Sequence, residues 1–178
     1  DAFVFPKYTS GVTYHTPGGN VESTSTVVGQ ENGKNIDFSS KIPPASYVLD
    51  GWYTEETGGT KVKEGTVVDI GTEIYAHEYP IVNVSVDTGS TGITVSTISM
   101  AAGQNAAYAV SKNLTTQAKV DAIANLKDKA KAAGYTFKGL FTAKSGGNEV
   151  DITTATFDND TILYALFDET APVSVTFD

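Results

Sequence analysis

Residues 46–79 read SYVLDGWYTEETGGTKVKEGTVVDIGTEIYAHEY, and residues 134–168 repeat that text in altered form as GYTFKGLFTAKSGGNEVDITTATFDNDTILYALFD. Tyr47, Gly51, Tyr53, Thr54, Gly58 and Gly59 return 88 residues later as Tyr135, Gly139, Phe141, Thr142, Gly146 and Gly147. Tyr75-Ala76 returns 89 residues later as Tyr164-Ala165. Recurrence at a near-constant spacing marks a module made more than once, and arrays of modules serve as spacers or display surfaces.

Within the first copy, Tyr47–Thr54 reads as its best strand. Side chains alternate across a strand, so Tyr47, Leu49, Gly51 and Tyr53 share one face and Val48, Asp50 and Trp52 the other. Gly58-Gly59 turns the chain, and residues 73–79 (EIYAHEY) form a closing strand. The expected core is Tyr47, Leu49, Tyr53, Ile74 and Tyr75 in this copy. In the second it is Val84, Val95, Ile123, Leu126, Tyr135, Phe137, Phe141, Ile162 and Tyr164.

Upstream, residues 12–16 (VTYHT) read as a short strand followed by a Pro17-Gly18-Gly19 turn. Residues 24–29 are β-prone, and Asn32-Gly33 marks a turn. Lys41-Ile42-Pro43-Pro44 would cross the sheet as a loop, since neither Pro suits a helix interior. Downstream, VNVSVD (82–87) and ITVSTI (93–98) read as a hairpin joined through residues 88–92. A single helix is predicted over 116–133. Thr115 or Thr116 caps it, Val120, Ile123, Leu126 and Ala130 fall at helical spacing, Lys127, Lys129 and Lys131 favour its C-terminal end, and Gly134 stops it. Strands matching those of the first copy follow at 135–142 and 161–167.

Hairpin, helix, strand, short strand, strand is the order of a β-grasp. The expected fold class is therefore α+β: tandem β-grasp-like modules, each a mixed sheet, with one crossing helix in the second module and a loop in the first. The expected bounds are 12–80 and 81–170. Residues 1–11 would end a preceding repeat or form a linker, and 171–178 would form a linker and start a further repeat, since Val175–Asp178 resembles Val12–His15. Pro80-Ile81 and Thr170-Ala171-Pro172 are the expected linkers. Lacking a helix, the first module should have the thinner core and the lower stability.

Composition narrows the function. Net charge is −9, and all 12 basic residues are Lys. Without Arg there is no bidentate fork for phosphate or carboxylate, so nucleic acid and anionic membrane surfaces are poor partners. There is no Cys, which excludes disulfides, thiolate metal sites and Cys nucleophiles. No apolar run approaches the roughly 20 residues of a membrane span. The opening DAFVFPKY has no basic n-region, so a targeting segment is expected outside these residues.

No pattern of residues points to catalysis, and no cofactor or metal is expected. His15 and His77 are the only histidines and lack ligand spacing. Gly89-Ser90-Thr91-Gly92 reads as a turn rather than a nucleophile elbow. Asp158-Asn159-Asp160 offers oxygens to a cation but lacks the Gly and distal Glu of a calcium loop, so a polar turn is preferred. Asp168-Glu169-Thr170 faintly resembles the acidic box of domains that join Lys to Asn autocatalytically, but it falls in an expected linker. Trp52 with Tyr53 is the candidate ligand-binding pair, because aromatic faces stack on the C–H faces of sugars. Packing is the competing reading for Trp52, since Leu140 holds the equivalent place.

Gly51-Trp52-Tyr53-Thr54, then Gly58-Gly59, then Tyr75-Ala76-His77 resembles the internalin B-repeat family, also called the Listeria–Bacteroides repeat, as does the opening Val12-Thr13-Tyr14-His15-Thr16-Pro17-Gly18-Gly19. The second copy departs from the pattern at Leu140 and in its inserted helix. The resemblance implies a β-grasp-like repeat of bacterial cell-surface proteins, often tandem and often in adhesins, with no catalytic residues to carry over. The expected role is a non-catalytic extracellular stalk, spacer or adhesin module on a Gram-positive cell wall. The alternative is a module that binds a host glycan or glycoprotein. Neighbouring repeats are the other expected partners.

Overall fold

The computed structural model describes residues 12–15, 21–23, 34–35, 44–69 and 71–170. The predicted Pro17–Gly19 turn, the 24–29 run, the Asn32-Gly33 turn, most of the 41–44 loop, and the end segments 1–11 and 171–178 lie outside these residues. The fold is mixed α+β, mostly sheet with a few short helices. The chain divides into two compact units after Tyr79.

In the first unit, β1 (Thr13–His15) pairs antiparallel with β2 (Val21–Ser23), and β3 (Lys34–Asn35) pairs antiparallel with β6 (Val67–Val68). The central strand is β4 (Tyr47–Tyr53), bonded to β5 (Lys61–Val62) and to β7 (Glu73–Asp87). The part of β7 up to Tyr79 serves this unit and runs parallel to β1. Pro80 and Ile81, expected as a linker, are strand residues of β7.

In the second unit, β7 pairs antiparallel with β8 (Ile98–Ala101) and parallel with β10 (Thr161–Glu169), which pairs antiparallel with β9 (Tyr135–Phe141). The sheet order is therefore β8-β7-β10-β9. The hairpin expected over 82–98 forms with a longer connection. Ile93–Ser96 is not strand, and the returning strand starts at Ile98. Ile93 is nevertheless buried, with the Thr88 hydroxyl donating to its carbonyl.

The single helix expected over 116–133 is two helices, α2 (Gln117–Ala124) and α3 (Leu126–Ala132), broken at Asn125 (φ −105°, ψ 32°). Thr116 caps α2 through its side chain, and Gly134 leaves α3 at φ 82°. The apolar spacing survives the break, so Val120, Ile123, Leu126 and Ala130 are all buried. A further helix, α1 (Ala106–Ser111), had no counterpart in the expectation. Asn105 caps it by accepting from the Tyr108 N–H at 3.0 Å.

The core corrects the assignment of strand faces in part. Val48 and Trp52 are buried, while Tyr47 and Tyr53 are half-buried on the face away from Trp52. Leu49, also half-buried, packs against the core as expected. In β10, Leu163 and Ala165 are buried, Tyr164 is half-buried and Ile162 is 54% exposed. Alternation fixes which residues share a face, but a face rich in Tyr can hold water at its hydroxyl ends, and the plain aliphatic face turns inward. Tyr75 and Phe141 are likewise only partly buried. Val95, Tyr135 and Phe137 are partly buried but pack against the second core, and Ile74, Val84, Ile123 and Leu126 are core as expected.

Two small cores result. The first unit buries Val12, Tyr14, Trp52 and Ile74 together. The second buries Val84, Ile98, Met100 and Leu163 of the sheet against Ala109, Val120, Ile123 and Leu126 of the helices. Each large aliphatic side chain buried in this way contributes about 1.5–3 kcal/mol.

Candidate functional site: the outer aromatic face of the first unit

The repeated glycines and threonines build a turn with the same hydrogen bonds in both units, although Gly59 has a positive φ (72°) and its counterpart Gly147 does not. The Thr54 N–H donates to the Thr60 carbonyl at 3.0 Å, and the Thr60 N–H donates back to the Thr54 hydroxyl at 2.9 Å. In the second unit, the Thr142 N–H donates to the Asn148 carbonyl at 2.9 Å, and the Asn148 N–H donates to the Thr142 hydroxyl at 3.0 Å. The loop closes so tightly that a Cβ on Gly147 would lie 2.4 Å from the Ala143 nitrogen, and one on Gly59 would lie 2.8 Å from that of Glu55. The motif thus encodes backbone geometry.

The glycine before the aromatic pair serves another purpose. Lys61 lies across β4 over Gly51, where a Cβ would come within 2.3 Å of Lys61 Cε. Glu149 lies the same way over Gly139, whose φ of 144° coincides with a bulge opposite Leu166. Each long side chain comes from the residue facing the last aromatic of its strand: Lys61 opposite Tyr53 and Glu149 opposite Phe141.

Trp52 and Tyr53, the candidate pair, point to opposite faces. Trp52 is 3% exposed and meets Tyr14 edge-on, with ring centroids 5.5 Å apart at 88°. Its ring has no free face for a sugar. Tyr53 stands on the half-open face, stacked on His77 at 3.9 Å and 9°. Its hydroxyl donates to Asp50, and Lys61 Nζ lies 3.6 Å from the same carboxylate and 5.7 Å from the Tyr53 ring centroid. The hydrogen bond to Asp50, then burial and the Asp50 charge, push the Tyr53 phenol up to about 12.

A second stack stands on the same unit. His15 lies on Tyr75 at 4.5 Å and 10°. The Tyr75 hydroxyl donates to Glu73 at 2.8 Å, which raises its pKa, and His15 Nε2 is 3.7 Å from the same carboxylate. His77 Nε2 contacts the Glu55 carbonyl at 3.0 Å. Between these groups opens a cleft of about 400 Å³ lined by His15, Glu56, Tyr75, His77, Glu78 and Tyr79. Burial raises the Glu78 pKa, and one of its carboxylate oxygens makes no hydrogen bond. Sequence reasoning singled out Trp52 and Tyr53, of which only Tyr53 stands on this face, and passed over Tyr75 and His77 as its neighbours. The available signal was the alternation of Tyr75, His77 and Tyr79 along EIYAHEY.

The other candidates resolve into structural roles. Asp160 accepts the Asn83 N–H at 2.7 Å, so the Asp158–Asp160 segment fastens the start of β10. Asp168 is exposed and pairs with Lys138 at 3.3 Å. Ser90 is exposed in its turn. Among the described residues, no three His, Asp or Glu side chains converge as metal ligands do, and no helix is long and apolar enough to cross a membrane. This face can therefore present stacked rings and carboxylates to a ligand, and nothing on it joins a nucleophile to a base.

A search of curated proteins finds no match. A family model described as the Listeria-Bacteroides repeat domain matches residues 9–77 and again 93–166, which together make up most of the chain. With the Gly-Gly turn and its hydrogen bonds built twice and the family pattern matched twice, the chain belongs to the Listeria-Bacteroides repeat family and carries two copies of its domain.

Proposed function

We propose that this chain is a non-catalytic repeat segment of a bacterial cell-surface protein, working outside the cell as a stalk or spacer. The observation that carries the reading is the duplication itself. One set of motif residues makes the same turn hydrogen bonds in both units, and those residues are spent on backbone geometry and packing. The strand order supports β-grasp-like units of the internalin B-repeat type. In the second unit, two antiparallel pairs are joined by a central parallel pair, with the helices between β8 and β9 in sequence. The acidic, Arg-free composition argues against nucleic acid as a partner. Antibodies against this chain should label intact cells of the parent organism. Labelling that appears only after lysis would sink the reading.

A second reading, that the first unit also acts as an adhesin module, is favoured by the cleft beside Tyr75 and His77. Its partner would be a host glycan or glycoprotein that stacks on the open rings. The test is a panel of glycans and matrix proteins with Tyr75→Ala and His77→Ala. Saturable binding lost in both variants supports an adhesive face, and binding that survives both removes it.

A further inference from the structure

In each unit the first and last described strands are parallel neighbours. In the first, β1 and β7 are in register as Thr13↔Glu73, Tyr14↔Ile74 and His15↔Tyr75. In the second, β7 and β10 are in register as Val84↔Thr161, Ser85↔Ile162, Val86↔Leu163 and Asp87↔Tyr164. This pairing decides how a unit responds to tension. A pull at the two ends of a unit draws its first strand backward and its last strand forward along a common axis. The ladder bonds cross that axis, so they are sheared together and must fail together. A pull on the open end of an antiparallel pair such as β9 and β10 meets the bonds one after another.

The second unit also braces both ends of its parallel pair. Where β10 begins, the Asp160 carboxylate holds the Asn83 N–H at 2.7 Å. Where β7 ends, Asp87 pairs with Lys144 at 3.0 Å, tying the strand to the loop between β9 and β10. Asp87 also accepts the Gly89 N–H at 2.8 Å, fixing the turn that leaves the strand. Neither brace belongs to the repeated turn motif, and neither takes part in the aromatic cleft.

We propose that the parallel terminal strands of each unit form a mechanical clamp that keeps the unit folded while the chain carries tension. The proposal rests on the stalk reading and extends it from spacing to load-bearing. The second unit is the stronger element, because its clamp has four register pairs against three in the first. Each clamp has side-chain ties, Asp160 and the Asp87–Lys144 pair in the second and the His15 contacts with Tyr75 and Glu73 in the first.

Single-molecule pulling on the full chain tests this, and the absence of native Cys makes introduced handle sites unique. One protein carries handles at Asp1 and Asp178, which shears both clamps. A second carries them at Ala133→Cys and Glu169→Cys, both exposed and flanking the open end of the β9–β10 pair, which unzips it. Matching denaturant midpoints establish that only the direction of load differs. End-to-end pulling should give one step of about 30 nm for the second unit and one of roughly 20–25 nm for the first, at about 3.3–3.6 Å per extended residue. Forced rupture follows the unfolding rate along the loaded direction, so the 30 nm step should need clearly more force than unzipping. Equal forces in the two geometries overturn the clamp and leave the surface-repeat reading intact. Labelling of lysed cells only would remove that reading and leave the clamp standing.

Discussion

The two units cover the same strand frame in different ways. Among the described residues of the first, Trp52 is set edge-on against Tyr14 beside Val12 and Ile74. In the second, Leu140 replaces Trp52, and the face is closed by three short helices that bring Ala109, Val120, Ile123, Leu126 and Ala130. Ile74 and Leu163 occupy equivalent places in the closing strands, as do Ala76 and Ala165. The comparison teaches that the repeat specifies a frame and a turn and leaves the covering layer free to vary.

The largest test of that view is removal of the covering residue. Trp52→Ala should cost about 3–5 kcal/mol and unfold the first unit while the second keeps its chemical-shift dispersion. Leu140→Ala should cost about 2–5 kcal/mol, and the second unit should stay folded because its core has more members. Heteronuclear NMR of each variant checks both. A first unit that survives Trp52→Ala would mean that its stability resides elsewhere. In the unaltered chain, the first unit should melt below the second.

Smaller perturbations address what is shared. Gly147→Ala drives a Cβ into the Ala143 backbone and should cost about 1–3 kcal/mol. Gly51→Ala meets only the flexible end of Lys61 and should cost less. Denaturant midpoints that rank the two the other way would break the reading of the turn. Thr54→Val and Thr142→Val each remove one hydroxyl acceptor and should cost about 1 kcal/mol, by similar amounts in the two units if the turn is the common part.

The frame was legible in the sequence because its signals are local. Glycine pairs, alternation and a capped helix with Gly134 beyond it were read correctly as turns, strands and a helical segment. The inward face was not legible. Tyr47 and Tyr53 look as ready for a core as Val48 and Trp52, and only tertiary covering decides between the two sets. α1 escaped because six residues carry too little periodicity, and the break at Asn125 because the apolar spacing continues through it. The candidate site was half legible. The Trp52-Tyr53 dipeptide was visible, but neighbours in a strand point apart, and the rings that gather beside Tyr53 come from β7.

The smallest effects are in titration. Tyr53 holds its proton more tightly folded than unfolded, so its contribution is complete below its ordinary value of 10.0 and is lost as pH rises toward about 12. Phenolate absorbance should show one late-ionising tyrosine fewer in Tyr53→Phe than in the unaltered chain, where Tyr75 is also raised. Asp87 behaves in the opposite sense. The Gly89 N–H and Lys144 hold its pKa down, so its stabilisation exists above the usual aspartate range and drains as pH falls below it. Asp87→Asn should flatten part of the acid limb of the second unit's stability, and an unchanged limb would show that the pair is screened away.

Tandem copies of similar sequence face a hazard that single domains do not, because a strand of one can enter the frame of its neighbour during refolding. Lys61 over Gly51 and Glu149 over Gly139 bear on that hazard. Lys61 sits 3.6 Å from the carboxylate of Asp50, and the residue equivalent to Asp50 in the other copy is Lys138. A strand exchanged from the first copy into the second would bring Lys61 toward Lys138, and the reverse exchange would bring Glu149 toward Asp50. Lys138 is held by Asp168 at 3.3 Å in its own copy, so neither exchanged strand would find the charge partner that Lys61 has in Asp50.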